Sequence, residues 1–281
     1  MRTILVRWAR LVPITFLLWT TAVCLAQSPT PVSGGANLTN AQIKTFLETA
    51  KIISEKTSKK GITAPSRLTL TDGTLTHDAS FQSEDEHALL KKFENGGSEI
   101  NFVDSYKYNI AAYILAEMVG FDDLMPVYVE REWKGKTGSL SWWLPAKMDE
   151  ADRTARKIRI PDSMTDKWNG QMYKIRVFDQ LVYDTDPNLT NLLIGDNWQV
   201  WRVDFSRAFR LINEPRSYKN LTHCDRHLFE KLKALNGDEF ARRAGPYLTK
   251  SEIKSVMKRR DKIVEYLQKE IAEKGEANVL Y

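Results

Sequence analysis

"YDTDPNLTNLLIGDNWQVWRVDFSRAF", residues 183–209, is the stretch whose reading decides the fold. It crowds Asp184, Asp186, Asn188, Asn191 and Asp204 into one short segment. Leu192 to Ile194 predict a strand, Gly195-Asp196-Asn197 a turn, and Trp198 to Val203 a returning strand. Such a hairpin brings Asp204 back beside Asn191. An amide oxygen and a carboxylate that converge are hard-oxygen ligands suited to Mg²⁺, which keeps its remaining positions for water and phosphate. Asp186 stands slightly apart, where it can orient an attacking hydroxyl or take its proton. A loop Asp, an Asn further along the loop and an Asp after a hairpin are the working parts of phosphoryl transfer. A solvated hairpin whose acids merely cap turns is the bland alternative.

Outward from that stretch the chain divides in two. Before it, "GQMYKIRVFDQLVYD" (170–184) predicts a helix with Met172, Ile175, Phe178 and Val182 on one side. Residues 147–170 are charged and read as irregular. Further upstream, "NLTNAQIKTFLETAKII" (37–53) places Ile43, Phe46, Leu47, Ala50 and Ile53 on one helical face, capped by Thr39 or Asn40. "RLTLTDGTLTHDASFQ" (67–82) alternates around Asp72-Gly73, the strongest hairpin signal in the chain. "DSYKYNIAAYILAEMVGF" (104–121) is helical by its spacing and closes at Gly120. "MPVYVEREW" and "GSLSWWLP" form a second hairpin through Gly135 and Gly138. Beyond the quoted stretch the chain is helical, with a capping box at Thr249 and Glu252 and a stop at Gly275. The class is α+β: an N-terminal helix and β-rich small lobe over 37–146, then a helical large lobe over 147–281.

The first residues read as an address. Arg2, Arg7 and Arg10 flank an apolar run from Leu11 to Leu25, and "CLAQ" (24–27) offers cleavage after Ala26. That is the pattern of a secretory signal peptide over residues 1–26. The run is short for a spanning helix, which takes roughly 20 apolar residues. A lipoprotein at Cys24 and an uncleaved membrane anchor remain as alternatives. Residues 27–36 (QSPTPVSGGA) read as a flexible leader. The formal charge is +5, 41 basic residues against 36 acidic, and falls to +2 without Arg2, Arg7 and Arg10. That gives no electrostatic case for nucleic acid, whose binders carry basic stripes. Only Cys224 remains once the signal segment is removed, so no intramolecular disulfide is expected. Export without disulfides fits a secreted or periplasmic protein of a bacterial envelope, with no membrane contact beyond the signal segment.

"VFDQLVYDTDPNLTNLLIGDNWQVWRVDFSRAF" (177–209) resembles the catalytic segment of the atypical branch of the protein-kinase-like fold. That branch includes the HipA-type kinases, the phosphatidylinositol 3/4-kinase-like proteins and the secretory-pathway kinases. Its pattern is a hydrophobic helix, N-x-D-R-x-x-x-N, a hairpin, then hydrophobic-D-[HF]-x-x-[AS]-F. Asp186 falls on the catalytic-loop aspartate, Asn191 on the metal-binding asparagine and Asp204 on the metal-binding aspartate. Phe205 and Arg207-Ala208-Phe209 match the following segment. "RLTLTDGTLTHDASFQ" and "YNIAAYILAEMVGFDDLMPVYVERE" also resemble the branch's small lobe, so the likeness spans roughly residues 60 to 210. It implies a two-lobed fold with ATP between the lobes, near the linker around Leu144 to Met148. It further implies Mg²⁺ or Mn²⁺ as cofactor and a protein or small molecule as acceptor.

The departures carry equal information. The branch places a phosphate-holding lysine where this chain has Gln82, and its partner glutamate where this chain has Asn109. A Lys–Glu ion pair becomes a pair of neutral amides, which avoids the desolvation of an ion pair but loses charge that steadies a transferring phosphoryl group. Pro187 stands where the branch often has arginine. Lys91, Lys92, Lys107 or Arg67 are candidates to supply the missing charge, and Glu117 to replace the acid. Gly61 in "GITAPSRLTL" is a candidate to cover nucleotide phosphates through backbone N–H groups. Three readings follow, the first two being an ATP-dependent phosphotransferase and a pseudokinase acting as a binding or scaffold module. An unrelated α+β envelope binding protein is the third. Of the remaining motifs, "GKTGS" (135–139) lies between strands and reads as a turn. Trp142 and Trp143 read as core rather than a stacking platform. "HCDRH" (223–227) puts His223 and His227 on one helical face, with a half-buried Cys224 between them.

Overall fold

Antiparallel pairing organises the N-terminal half of the chain. The structure, a computed structural model, describes residues 38–57, 65–93 and 96–281; the predicted signal peptide and leader lie outside them. Thr39 caps α1 (Asn40–Thr49) in a capping box with Gln42, and the helix buries Ile43, Phe46 and Leu47. It ends before Ile53, because the chain turns extended at Ala50 and pairs as β1 (Lys51–Thr57) with β2 (Ser66–Thr71). Ile53, predicted on the buried helical face, is therefore 51% exposed. β2 returns as β3 (Thr76–Gln82) through the Asp72-Gly73 turn. Asp72 accepts the N–H groups of Leu75 and Thr74, which hold its carboxyl below the usual carboxylate range.

β6 (Tyr128–Trp133) and β7 (Lys136–Trp142) join through Lys134 and Gly135, both at positive φ (51° and 73°). Two such residues give the turn whose twist suits a hairpin. Gly138, expected in that connection, lies inside β7 instead. A Cβ there would meet the Gln82 carbonyl oxygen at 2.4 Å and the Phe81 ring at 2.8 Å. Glycine thus lets β7 lie against the end of β3. The sheet that results runs β1-β2-β3-β7-β6, antiparallel throughout. Its inward side chains, among them Leu68, Leu70, Ala79, Phe81 and Leu140, join one core with α1 and with α2 (Tyr106–Val119). α2 closes at Gly120, φ 71°.

Between β3 and α2 the chain forms a two-stranded arm, β4 (Asp85–Lys92) and β5 (Ser98–Ser105), which no apolar alternation announced. After β7 helices dominate. The stretch expected to be irregular holds β8 (Met148–Asp149), α3 (Glu150–Ala155) and the start of α4 (Thr165–Val182). β8 adds to the hairpin of β9 (Leu192–Ile194) and β10 (Val200–Arg202). α5 (Arg226–Ala234), α6 (Gly237–Ala244) and α7 (Lys250–Lys274) follow, the last opened by the expected Thr249–Glu252 capping box. His223 precedes α5, whose N-cap is Asp225, and so does not share a helical face with His227. Its ring stacks on Tyr173 at 4.5 Å. Cys224 is fully buried rather than half-buried, bridged to Leu280, and burial pushes its thiol up to about 12. The chain is thus α+β, a β-rich N-terminal region followed by a helical one. Among the described residues no helix is long and apolar enough to cross a membrane.

Candidate active site

The loop after α4 is shaped by its own side chains. Tyr183 ends the helix in the left-handed region at φ 53°. Asp184 turns back so that its Oδ1 accepts the Asp186 N–H at 3.0 Å. Asn188 accepts the N–H groups of Thr190 and Asn191 through its Oδ1, at 3.0 and 3.2 Å. Asn191, mostly buried, donates its Nδ2 to the Asp186 carbonyl at 3.4 Å. Among the described residues the Asp186 carboxylate itself takes no hydrogen bond. The residue is half-buried, and its backbone is fixed on both sides.

The hairpin closes on that loop. Leu192 pairs with Arg202, and one step on, the Val203 N–H donates to the Asn191 carbonyl at 2.9 Å. That bond sets Asp204 beside the Asn191 end of the loop. Asp204 is held at φ 61°, a conformation that costs a non-glycine residue free energy and clusters at functional sites. Three contacts maintain it. Its N–H donates to the Tyr128 hydroxyl at 3.3 Å, its Oδ1 accepts the Ser206 N–H at 3.3 Å, and its carbonyl accepts from Arg202 Nη1 at 3.2 Å.

Gln82 and Asn109 meet behind this point. The Phe205 N–H can only donate, and it donates to Asn109 Oδ1 at 2.7 Å. The Asn109 amide is then fixed, and its Nδ2 donates to Gln82 Oε1 at 2.7 Å, with Ser139 Oγ at 3.5 Å. With Oε1 occupied, Gln82 turns its NH₂ donor away from Asn109. The two amides form one chain of forced roles that ties the end of β3 and α2 to the residue after Asp204. Asn109 and Phe205 are both fully buried.

Beneath the loop lies a buried charge cluster. Arg202, 1% exposed, pairs with Asp184 through Nη2 and lies 3.4 Å from Asp179 through Nε. Its Nη1 also donates to the carbonyls of Val203 and Asp204. One guanidinium therefore links α4, the loop and the backbone of Asp204. Burial pushes the Asp179 carboxyl up to about 7 despite the pull of Arg202, and the Asp184 charge adds to the rise. Asp104, at the end of β5, comes to Asp204 because the Ser105 N–H donates to the Ser206 carbonyl at 2.9 Å. Burial pushes its carboxyl up, against a hydrogen bond with Ser206, and the Asp204 charge pushes it further.

No family model matches the sequence, and no curated protein does. The crystal structure of a proinflammatory kinase from Helicobacter pylori, CtkA, is similar in fold, with a TM-score of 0.50 over 81% of this chain and 98% of that one. The fold is kinase-like. At 11% identity the likeness concerns the fold alone.

Within this kinase-like frame the sequence's candidates divide. Asp186, Asn191 and Asp204 lie on one loop and the hairpin that closes on it, and Gln82 and Asn109 form the amide bridge behind them. Gly61 lies outside the described residues. Three of the four candidates for a replacement charge are engaged elsewhere: Lys107 with Asp85, Lys91 with Glu86, and Arg67 with Asp78 while stacked on Trp143 at 4.2 Å; the fourth, Lys92, is exposed at the end of β4. Glu117 pairs with Arg243 of α6 and holds helices together. Trp142 packs in the core, stacked on His77 at 3.5 Å. His77 Nε2 lies 3.0 Å from the Trp143 carbonyl at the linker.

A divalent cation fits the donor set. The Asn191 amide and the Asp204 carboxylate are hard oxygen donors. The Asp104 Oδ1 is buried with no hydrogen-bond partner among the described residues. Positive charge at this point would relieve that oxygen and the repulsion between Asp104 and Asp204. Among the described residues no three His, Cys, Asp or Glu side chains converge on one metal position. Such a site takes its remaining ligands from an amide, water and phosphate, as Mg²⁺ sites in phosphoryl-transfer enzymes do. Asp104 and Arg202 were missed from sequence; the first had no signal beyond being an acid before a helix.

Proposed function

We propose that the chain is a metal-dependent ATP-binding phosphotransferase, exported from the cell by residues 1–26. The observation that carries this reading is the backbone bond from Val203 to Asn191, which sets Asp204 beside the loop bearing Asp186. In this reading Asn191 and Asp204 hold Mg²⁺ or Mn²⁺, which when bound supplies positive charge to the phosphates of ATP. Asp186 orients the acceptor hydroxyl and takes its proton; a positioned base of this kind contributes about 10²–10⁴-fold. Arg202 holds the Asp204 backbone and the loop in one relation. Gln82 offers a neutral N–H donor where a charged one serves related folds. The acceptor is a protein or a small molecule bearing a hydroxyl.

A second reading has its own observation. The Gln82–Asn109–Phe205 chain is joined by hydrogen bonds that need no charge, which suits a pseudokinase whose fold serves as a binding module. Phosphate transfer from ATP to the protein itself or to a generic acceptor separates the two. Under the first reading transfer occurs with Mn²⁺ and is lost in Asp204→Asn and Asp186→Asn. No transfer in the wild type, with activity or nucleotide affinity gained in Gln82→Lys with Asn109→Glu, selects the second.

A further inference from the structure

The β4–β5 arm presents a surface that the site does not use. β5 faces the domain: Ser105 bonds to Ser206, Glu99 pairs with both Arg207 and Arg210, and Arg210 donates to the Asn101 carbonyl. β4 pairs with β5 alone, so among the described residues its outer edge carries no strand. Large apolar side chains stand out from the arm: Leu89 is 86% exposed, Ile100 75% and Leu90 52%. Leu90 and Ile100 are cross-strand neighbours, which makes one apolar surface of them. Free edges are templates for pairing, and proteins commonly block them with central charges or proline. β4 has neither at its centre.

Its charges lie at its ends, with opposite sign. The strand reads Asp85-Glu86-His87-Ala88-Leu89-Leu90-Lys91-Lys92. A second copy laid antiparallel about the Ala88–Leu89 midpoint sets Asp85 opposite Lys92 and Glu86 opposite Lys91. His87 then faces Leu90, and Ala88 faces Leu89. A parallel pairing would put acid against acid and lysine against lysine, which is unfavourable for charges directly opposite. The strand is thus self-complementary in one orientation, the requirement for a two-fold interface made of the same patch on both subunits. We propose that two copies of this chain associate edge to edge through β4, antiparallel, with Ala88 and Leu89 of one copy facing Leu89 and Ala88 of the other across the axis. Within each copy Glu86 already holds Lys91 and Asp85 already holds Lys107. In the pair those contacts become shared clusters across the two-fold axis.

Sedimentation equilibrium of the full chain is the test. The wild type is expected to be a dimer, and Leu89→Lys, a change at a site 86% exposed, is expected to weaken it at least tenfold by placing two lysines near the axis. K91E/K92E makes the strand acidic and D85K/E86K makes it basic. Each alone is expected to be monomeric, and an equimolar mixture is expected to form a heterodimer. A wild type that stays monomeric overturns the proposal, as does a dimer indifferent to Leu89→Lys. Two variants that retain their far-UV circular dichroism yet do not associate when mixed also overturn it. Should either charge variant fail to fold, Leu89→Lys alone decides.

Discussion

Replacing Asn109 by leucine removes the amide that joins three elements while keeping a branched side chain of similar size. Two short bonds are lost, the acceptor for the Phe205 N–H at 2.7 Å and the donor to Gln82 Oε1 at 2.7 Å, together with the long one to Ser139 Oγ at 3.5 Å. The two short bonds are not equivalent. Phe205 is fully buried, and a buried donor left unsatisfied costs about 1–3 kcal/mol. Gln82 is only partly buried and regains water, so its bond is worth about 0.5–1.5 kcal/mol. Asn109→Leu is therefore expected to lose about 1.5–4.5 kcal/mol in urea unfolding, the larger share from Phe205. For a chain of this size each kcal/mol lowers Tm by about 2–4 °C. Gln82→Leu is expected to cost less than Asn109→Leu, and a double-mutant cycle between them to show a coupling of about 1 kcal/mol. A loss below about 0.5 kcal/mol for Asn109→Leu, with no coupling, would refute the bridge, since unperturbed surface sites change stability by that little.

Three further outcomes are expected. Arg202→Met leaves Asp184 and Asp179 buried without their cation and is expected to cost about 3–5 kcal/mol; adding Asp184→Asn should recover part of the loss, and chemical denaturation of both variants measures it. Asp179 has a folded pKa of about 7, above its ordinary 3.8, so it binds its proton more tightly when folded. Its contribution is full below about pH 4 and is lost as pH rises towards 7. Wild-type stability relative to Asp179→Asn should accordingly fall across that window, and a flat or rising difference would contradict the assignment. Gly138→Ala, whose Cβ would meet the Gln82 carbonyl at 2.4 Å, is expected to destabilise by about 1–3 kcal/mol through overpacking, as read by thermal unfolding.

What could be read from sequence was local. The hairpin at 192–203 was legible because Gly195-Asp196-Asn197 is turn chemistry between strand formers, and Asn197 does adopt φ 52°. The Thr249–Glu252 capping box and the Asp72-Gly73 turn were legible for the same reason. Ile53 was misplaced because helical spacing continued past the point where pairing with β2 captured the chain. β4 and β5 were hidden because their sequences mix charge and apolar residues without a period of two. Asp225, an N-cap that accepts the Leu228 N–H at 2.7 Å, was a signal that would have kept His223 out of the helix. Arg202 and Asp104 gave no local sign. The first is buried by Asp184 and Asp179 from distant positions, and the second reaches Asp204 only through the Ser105–Ser206 backbone bond.

A metal-dependent nucleotide site at the loop and hairpin makes a prediction for ATP binding. Calorimetry of ATP binding to residues 27–281, with and without Mn²⁺ and beside Asp204→Asn, tests it most directly. Binding is expected to require Mn²⁺ and to be lost in Asp204→Asn. No binding in either condition, or binding indifferent to both the metal and Asp204, would contradict it.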